Sequence, residues 1–131
     1  MSEKAAIIGT LDTKGKECEY VKDIIESQGV DTLIIDAGVK NVPKISADIS
    51  REKVAEAGGE SLEKLIEKDD RGHAISVMSD GVEKIINDLF SEGEIAGVIS
   101  LGGSAGTTIG TKAMRSLPYG IPKVMVSTLA S

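Results

Sequence analysis

Short apolar runs alternate along the chain with segments in which apolar residues recur every three or four positions. Runs that are short and unbroken are typical of strands buried on both faces of a parallel sheet. The recurring spacing indicates helices with one buried side. The predicted strands are 5–9, 32–36, 95–101 and 123–127. The predicted helices are 16–28, 50–57, 61–68, 72–90 and 104–116.

Turn and cap residues support these boundaries. Gly29 and the pair Gly58–Gly59 stand where two predicted helices end, and Ser50 and Ser61 stand where two begin. Strands that alternate with helices predict an α/β fold, here a three-layer Rossmann-like domain with a mainly parallel sheet of four or more strands. A length of 131 residues fits one such domain, covering 1–131.

Composition narrows the classes of partner. The net charge is −6, which is the wrong sign for a protein that binds nucleic acid by neutralising its phosphates. The aromatic residues are Tyr20, Phe90 and Tyr119, too few to form a surface on which bases stack. No apolar run is long enough to span a bilayer, and we expect no membrane partner. The single cysteine, Cys18, and the lack of a signal-peptide pattern indicate a cytoplasmic protein.

The segment 101–107, Leu-Gly-Gly-Ser-Ala-Gly-Thr, follows the third predicted strand and opens a predicted helix. A helix N-terminus presents free backbone N–H groups and the positive end of the helix dipole, which together favour a bound phosphate. We therefore expect this turn to bind a phosphate, with two side-chain hydroxyls as additional donors. The predicted contacts are Gly102, Gly103, Ser104, Gly106 and Thr107.

The other three predicted strands also end in small, hydroxyl or acidic residues. Because the carboxyl ends of parallel strands meet at one edge of the sheet, we expect a shared crevice there. In this hypothesis residues 10–14 cover the phosphates, Asp36 accepts a ribose hydroxyl, residues 127–128 add polar contacts, and adenine lies on aliphatic side chains. These strand ends contribute Thr10, Leu11, Asp12, Thr13, Lys14, Asp36, Ser127 and Thr128.

Simpler roles are open for several of these residues. Gly102 belongs to a series of glycines spaced by four, continued at 106 and 110, which would also let a helix pack close to the sheet. Asp12 or Thr13 would also serve as a helix cap. Asp36 would also close a local turn with Gly38. The sequence alone leaves these alternatives open.

Several familiar kinds of site are not supported. The chain has no G-x-G-x-x-G after the first strand and no P-loop. One histidine, His73, and one cysteine are too few ligands for a transition-metal site, and we predict no metal site. We interpret His73 as a surface or capping residue and Cys18 as a packing residue whose pKa is raised by Glu17 and Glu19. Ser104 has no neighbouring histidine, so a Ser-His-Asp hydrolase is not supported.

Several strings of residues, in order along nearly the whole chain, resemble one known family. They are 9–17 (GTLDTKGKE), 36–38 (DAG), 48–50 with 54–55 and 58–59, 102–107 (GGSAGT), and 118–123 (PYGIPK) with 126–131 (VSTLAS). The chain resembles the N-terminal ATP-binding domain of the tomato mosaic virus resistance protein and its uncharacterised microbial relatives. The resemblance implies a Rossmann-like nucleotide-binding domain that forms homodimers and is the N-terminal part of a longer family chain.

We therefore expect a domain that binds ATP or a related nucleotide, with or without Mg²⁺, at the residues named above. Two other hypotheses stay open. One is a dimeric protein-interaction or regulatory module without turnover, with the helix 72–90 as a candidate dimer surface. The other is a part of a nucleotide- or phosphate-ester-dependent enzyme, in which Asp12 or Asp36 orients a metal ion or water and Lys14 stabilises negative charge.

Overall fold

Four strands and five helices form the regular structure of residues 3–129, the part of the chain that the computed structural model describes. In chain order the elements are β1 (Lys4–Gly9), α1 (Leu11–Ser27), β2 (Thr32–Asp36), α2 (Arg51–Ala57), α3 (Leu62–Lys68), α4 (Arg71–Ser91), β3 (Ile95–Gly102), α5 (Ser104–Arg115) and β4 (Lys123–Ser127).

The four strands form one sheet in which every pairing is parallel. The order β2-β1-β3-β4 puts β1 and β3 at the centre. From β1 the chain moves outward to β2, and from β3 it moves outward in the opposite direction to β4. The strand order therefore reverses between β1 and β3. The predicted α/β fold with a parallel sheet of four strands between helices is confirmed.

Apolar side chains fill both faces of the sheet, because successive strand residues point to opposite sides. On one face Ile7 and Ile34 pack with Leu11 and Cys18 of α1. The other face carries the larger core, formed against α2, α4 and α5. Its largest fully buried members are Ile8, Ile35, Val54, Met78, Val82, Ile86, Ile95 and Ile109.

Helix α1 begins earlier than the apolar spacing predicts. It starts at Leu11 rather than at residue 16, and it is kinked at Lys14, whose φ of −116° and ψ of 18° are not helical. The buried positions of its first turns include Asp12 and Gly15. Neither residue is apolar, so the spacing of apolar residues does not predict this part of the helix.

Two glycines bring α2 and α4 into backbone contact. A Cβ atom built on Gly81 would overlap the carbonyl oxygen of Val54, and one built on Gly58 would overlap that of Val77. The contact is reciprocal, since each of the two segments supplies a glycine against a carbonyl of the other. This close approach fixes α2 against α4.

Side-chain caps mark the starts of three helices. The predicted caps at Ser50 and Ser61 are confirmed, since each hydroxyl accepts a backbone N–H at 3.3 Å. Asp70 caps α4, and its Oδ1 accepts the N–H of His73 at 3.1 Å. This third cap places the N-terminus of α4 at Arg71, one residue before the predicted start. Of the helices in residues 3–129, none combines the length and the apolar character that crossing a bilayer requires.

Candidate functional site

A cleft of about 510 Å³ lies at the carboxyl edge of the sheet. It is bordered by the residues that follow β1 and by those that follow β3, so it opens where the strand order reverses. In open α/β sheets this crevice is the usual place for a ligand, and the volume lies within the range of small-molecule sites. Its polar border is formed by Thr10, Asp12, Thr13, Lys14, Lys40, Asp69, Asp70, Arg71, Gly103 and Ser104.

The N-terminus of α5 presents unsatisfied backbone donors to this cleft. Gly103 is the N-cap residue and has no side chain to accept a hydrogen bond. Within residues 3–129, the N–H groups of Ser104, Ala105 and Gly106 form no hydrogen bond. The next amide, on Thr107, donates to the Gly103 carbonyl at 3.0 Å. Three adjacent free N–H groups at the positive end of a helix form an anion-binding arrangement.

Three cationic side chains border the cleft from three different segments. Lys14 comes from the kink of α1, Lys40 from the loop after β2, and Arg71 from the start of α4. Among the described residues none of them forms an ion pair with a carboxylate. Arg71 Nη2 donates to Ser104 Oγ at 2.7 Å, which holds the guanidinium beside the N-terminus of α5.

Three carboxylates also border the cleft, and two of them are engaged with backbone. Asp12 Oδ2 accepts the N–H groups of Lys40 and Asn41, both at 3.1 Å. The N-cap of α1 is Thr10, so the alternative in which Asp12 or Thr13 caps this helix is wrong. Asp12 instead holds the loop after β2 against the cleft. The two residues that donate to it lie 28 and 29 positions further along the chain.

One side of the cleft is apolar. Side chains from α3, α4 and α5 line it, and we call this set the apolar pouch: Leu65, Ile66, Ala74, Ile75, Met78 and Ile109. The pouch contains no aromatic side chain. A flat apolar group could lie against these aliphatic side chains while a charged group on the same molecule reached the N-terminus of α5.

The structure brings most of the predicted phosphate contacts into the cleft. Those that border it are Thr10, Asp12, Thr13, Lys14, Gly103, Ser104 and Gly106. The sequence did not indicate Lys40, Arg71 or the apolar pouch. The start of α4 carried a signal in the cap Asp70, but nothing in the sequence places that helix end beside residue 104.

Asp36 lies outside the cleft. It is 1% exposed, and its Oδ1 accepts the N–H groups of Leu11 at 3.1 Å and Gly38 at 2.9 Å. Burial raises the pKa of this carboxyl, and the two backbone hydrogen bonds oppose the rise. The local turn with Gly38, the simpler alternative, is therefore present in the structure.

Of the remaining predicted contacts, four pack or bond within the fold, and Thr128 is exposed next to Gly103. Leu11 is fully buried. A Cβ on Gly102 would lie 2.5 Å from the Gly106 carbonyl carbon, so this glycine lets α5 sit close to β3. Thr107 Oγ1 and Ser127 Oγ are 2.7 Å apart and tie α5 to β4. Thr128 Oγ1 lies 3.8 Å from the position that a Cβ on Gly103 would take.

Cys18 and His73 take roles close to those predicted. Cys18 is fully buried, and burial, more than the charges of Glu17 and Asp36, raises the pKa of its thiol to about 12. The prediction named the neighbouring glutamates as the cause, whereas desolvation is the larger effect. His73 is on the surface, where its Nε2 contacts Glu60 Oε2. Residues 3–129 contain no cluster of three or more His, Cys, Asp or Glu side chains suited to a metal ion.

The sheet order and the cleft define a Rossmann-like α/β domain with a ligand-sized crevice at the reversal of its strand order. Comparison with known proteins identifies the family. Residues 3–131 match the N-terminal domain of UPF0261, an uncharacterised protein family. The chain belongs to the UPF0261 family.

Bacterial relatives match this chain over nearly its whole length. A UPF0261 protein of Clostridium tetani is 53% identical over 131 residues, and one of Rhizobium meliloti is 39% identical over 125. The matched regions are 32% and 30% of those proteins, so the chain spans about a third of their length. The ToMV susceptible protein tm-1(GCR26) of Solanum lycopersicum is 51% identical over 63 residues, which cover 48% of this chain and 8% of that protein.

Proposed function

We propose that the cleft binds a nucleotide, ATP or a close relative, with its phosphates at the N-terminus of α5. The observation that carries the proposal is the set of three free N–H groups at residues 104–106, which open into a cleft of about 510 Å³. An anion placed there would complete the hydrogen bonding of the helix start.

The charges around these donors support a ligand with more than one phosphate. Lys14, Lys40 and Arg71 approach from three directions and are free of carboxylate partners within residues 3–129. Of the bordering acids, Asp12 and Asp70 already accept backbone N–H groups. A guanidinium and two ammonium groups on separate segments suit a chain of phosphates better than a single carboxylate.

The apolar pouch supports a nucleoside over inorganic phosphate. It lies in the same cleft as the free N–H groups and is lined by aliphatic side chains from three helices. A purine could be buried there by hydrophobic contact without aromatic stacking. The Mg²⁺ that often accompanies ATP would be held mainly by phosphate oxygens, with waters completing its coordination.

Two variants at one position provide the sharpest test. Gly103 has negative φ, and a Cβ built on it meets one atom within 4 Å, Thr128 Oγ1 at 3.8 Å. Gly103→Ala should therefore fold normally and retain binding. Gly103→Asp should fold as well, but its carboxylate would occupy the anion position and repel phosphate. We expect the aspartate variant to lose at least tenfold in affinity for ATP, which corresponds to about 1.4 kcal/mol.

Isothermal titration with ATP, tripolyphosphate and adenosine would measure these affinities. We expect ATP to bind more tightly than either part alone, because it fills both the phosphate position and the apolar pouch. Circular dichroism of both variants controls for folding. Equal ATP affinity in the alanine and aspartate variants, or no binding of any probe by the wild type, would refute the proposal.

A further inference from the structure

On one face of the sheet, β4 has no helix over it in residues 3–129. On the α1 face, β3 residues Ile99 and Leu101 belong to the core that α1 covers. The pairing register places Val124 beside Ile99 and Val126 beside Leu101, so both valines point to this face. They are 51% and 50% exposed. Strands of parallel sheets are normally covered on both faces, so these two positions are unusual.

The opposite side of β4 is covered. Met125 points the other way and packs against the larger core, next to α5. The exposed side chains continue past the strand, since Leu129 is 59% exposed. We call Val124, Val126 and Leu129 the open face. All three side chains are aliphatic; the two valines lie on an edge strand, and Leu129 is two residues beyond it.

We propose that the open face is the docking surface for the polypeptide that follows this domain in full-length UPF0261 proteins, and that an amphipathic helix of that polypeptide covers it. The family match is to an N-terminal domain, and the relatives are about three times as long as the matched region. A segment following β4 reaches the open face directly, because Leu129 is two residues beyond the strand.

The chemistry of the open face fits a helix. Two β-branched side chains on alternate positions of one strand form a narrow aliphatic ridge, which an apolar helix stripe can cover. In doubly wound sheets whose strand order begins 2-1-3-4, helices cover both faces. A second copy of this chain fits less well. Three half-exposed side chains fall far short of the roughly 800 Å² that each partner buries in a standard interface.

Cysteine accessibility tests the proposal. Val126→Cys is made in this chain, and the aligned residue is changed to cysteine in the full-length Clostridium tetani relative. Val42→Cys is the matched control, because Val42 is a valine 79% exposed in the loop after β2. Cys18 contributes little background, since it is fully buried with a pKa of about 12. Maleimide labelling is followed peptide by peptide by mass spectrometry.

We expect both introduced cysteines to react readily in this chain. In the full-length relative, the cysteine aligned with 126 should react at least tenfold more slowly, at every protein concentration, while the control stays fast. Equal rates in the two proteins would overturn the proposal. Protection that disappears on dilution, or that appears in the 131-residue chain as its concentration rises, would also overturn it, because a second copy would then be the occupant.

Discussion

Asp36 connects three segments through a single carboxylate at the end of β2. Its Oδ1 accepts the first amide of α1 at Leu11 and the amide of Gly38 in the following loop. Both N–H groups are buried, so each needs an acceptor. Since the carboxyl is itself buried and its pKa is raised, the acceptor function, rather than the negative charge, is what the fold uses.

Two substitutions separate the acceptor from the charge. Asp36→Ala leaves two buried N–H groups without a partner and should lower the free energy of unfolding by about 1–3 kcal/mol. Asp36→Asn keeps an amide oxygen in place and should cost less. Urea denaturation measures both. ATP affinity of the asparagine variant should equal that of the wild type, because Asp36 is not part of the cleft; a tenfold loss would restore the ribose hypothesis.

The stabilities of the wild type and of Asp36→Asn should depend differently on pH. Because folding raises the pKa of Asp36 above 3.8, the folded state binds more protons than the unfolded state between the two values. The stability that this group contributes is therefore full below about 3.8 and is lost as pH rises through the folded pKa. Asparagine does not titrate, so Asp36→Asn should gain stability relative to wild type as the pH rises above about 3.8. A constant difference across this range would contradict the assignment.

At the scale of elements, the contact between α2 and α4 depends on the absence of two side chains. Gly81→Ala would force a methyl group into the Val54 carbonyl, which is backbone and has no alternative rotamer. We expect a loss of about 1–3 kcal/mol or more in urea unfolding.

Gly72 in the same helix provides the matched control. A Cβ there meets one atom within 4 Å, at 3.7 Å, so Gly72→Ala should stabilise the protein by about 0.5–1 kcal/mol through helix propensity. If Gly81→Ala were stabilising as well, the helices would have to lie further apart than described.

Elements with a strong local signal could be predicted from the sequence. The apolar run of β2 gives its bounds, Thr32–Asp36, and the two serine caps mark α2 and α3. The first turn of α1 could not be predicted, because its buried side contains an aspartate and a glycine. Asp12 is buried there by bonding to amides of a distant loop, which no local pattern reveals.

At the scale of the molecule, the two outer strands are protected unequally. The outer edge of β2 is bonded to the segment at 48–49: Ile34 N–H donates to Asp48 Oδ2 at 2.7 Å, and Asp36 N–H donates to the Ile49 carbonyl at 3.0 Å. In residues 3–129 no strand or bridge pairs with the outer edge of β4. Among the described residues, the β2 edge of the sheet is thus hydrogen-bonded to another segment, and the β4 edge is not.

Hydrogen exchange should report this difference. We expect amides of 123–127 to exchange at least tenfold faster than those of 32–36, two segments of equal length, because local opening of β4 breaks fewer bonds and exposes little new apolar surface. The central strand β1 serves as the slow reference. Comparable protection of both outer strands would mean that β4 has a partner in solution.

The cleft could be predicted in outline but not in composition. Parallel strands bring the ends of β1 and β3 together, and this rule placed 10–14 and 103–106 correctly at one edge. The hydrogen bond from Arg71 to Ser104 joins residues 33 apart, and it depends on how α4 packs against α5. Sequence patterns specify which side of a helix is buried, but they do not specify which neighbouring helix covers it.

The glycine contact between α2 and α4 also determines where the cleft can flex. Two backbones in direct contact have no rotamers to exchange, so we expect these helices to move together as one rigid unit. Arg71, which borders the cleft, is at the start of α4 and belongs to this unit. The opposite border at residues 38–40 is a loop, fastened to α1 by the two amide hydrogen bonds of Asp12. We therefore expect any adjustment of the cleft to a ligand to occur on the loop side, where the bonds to Asp12 limit how far residues 40–41 can move.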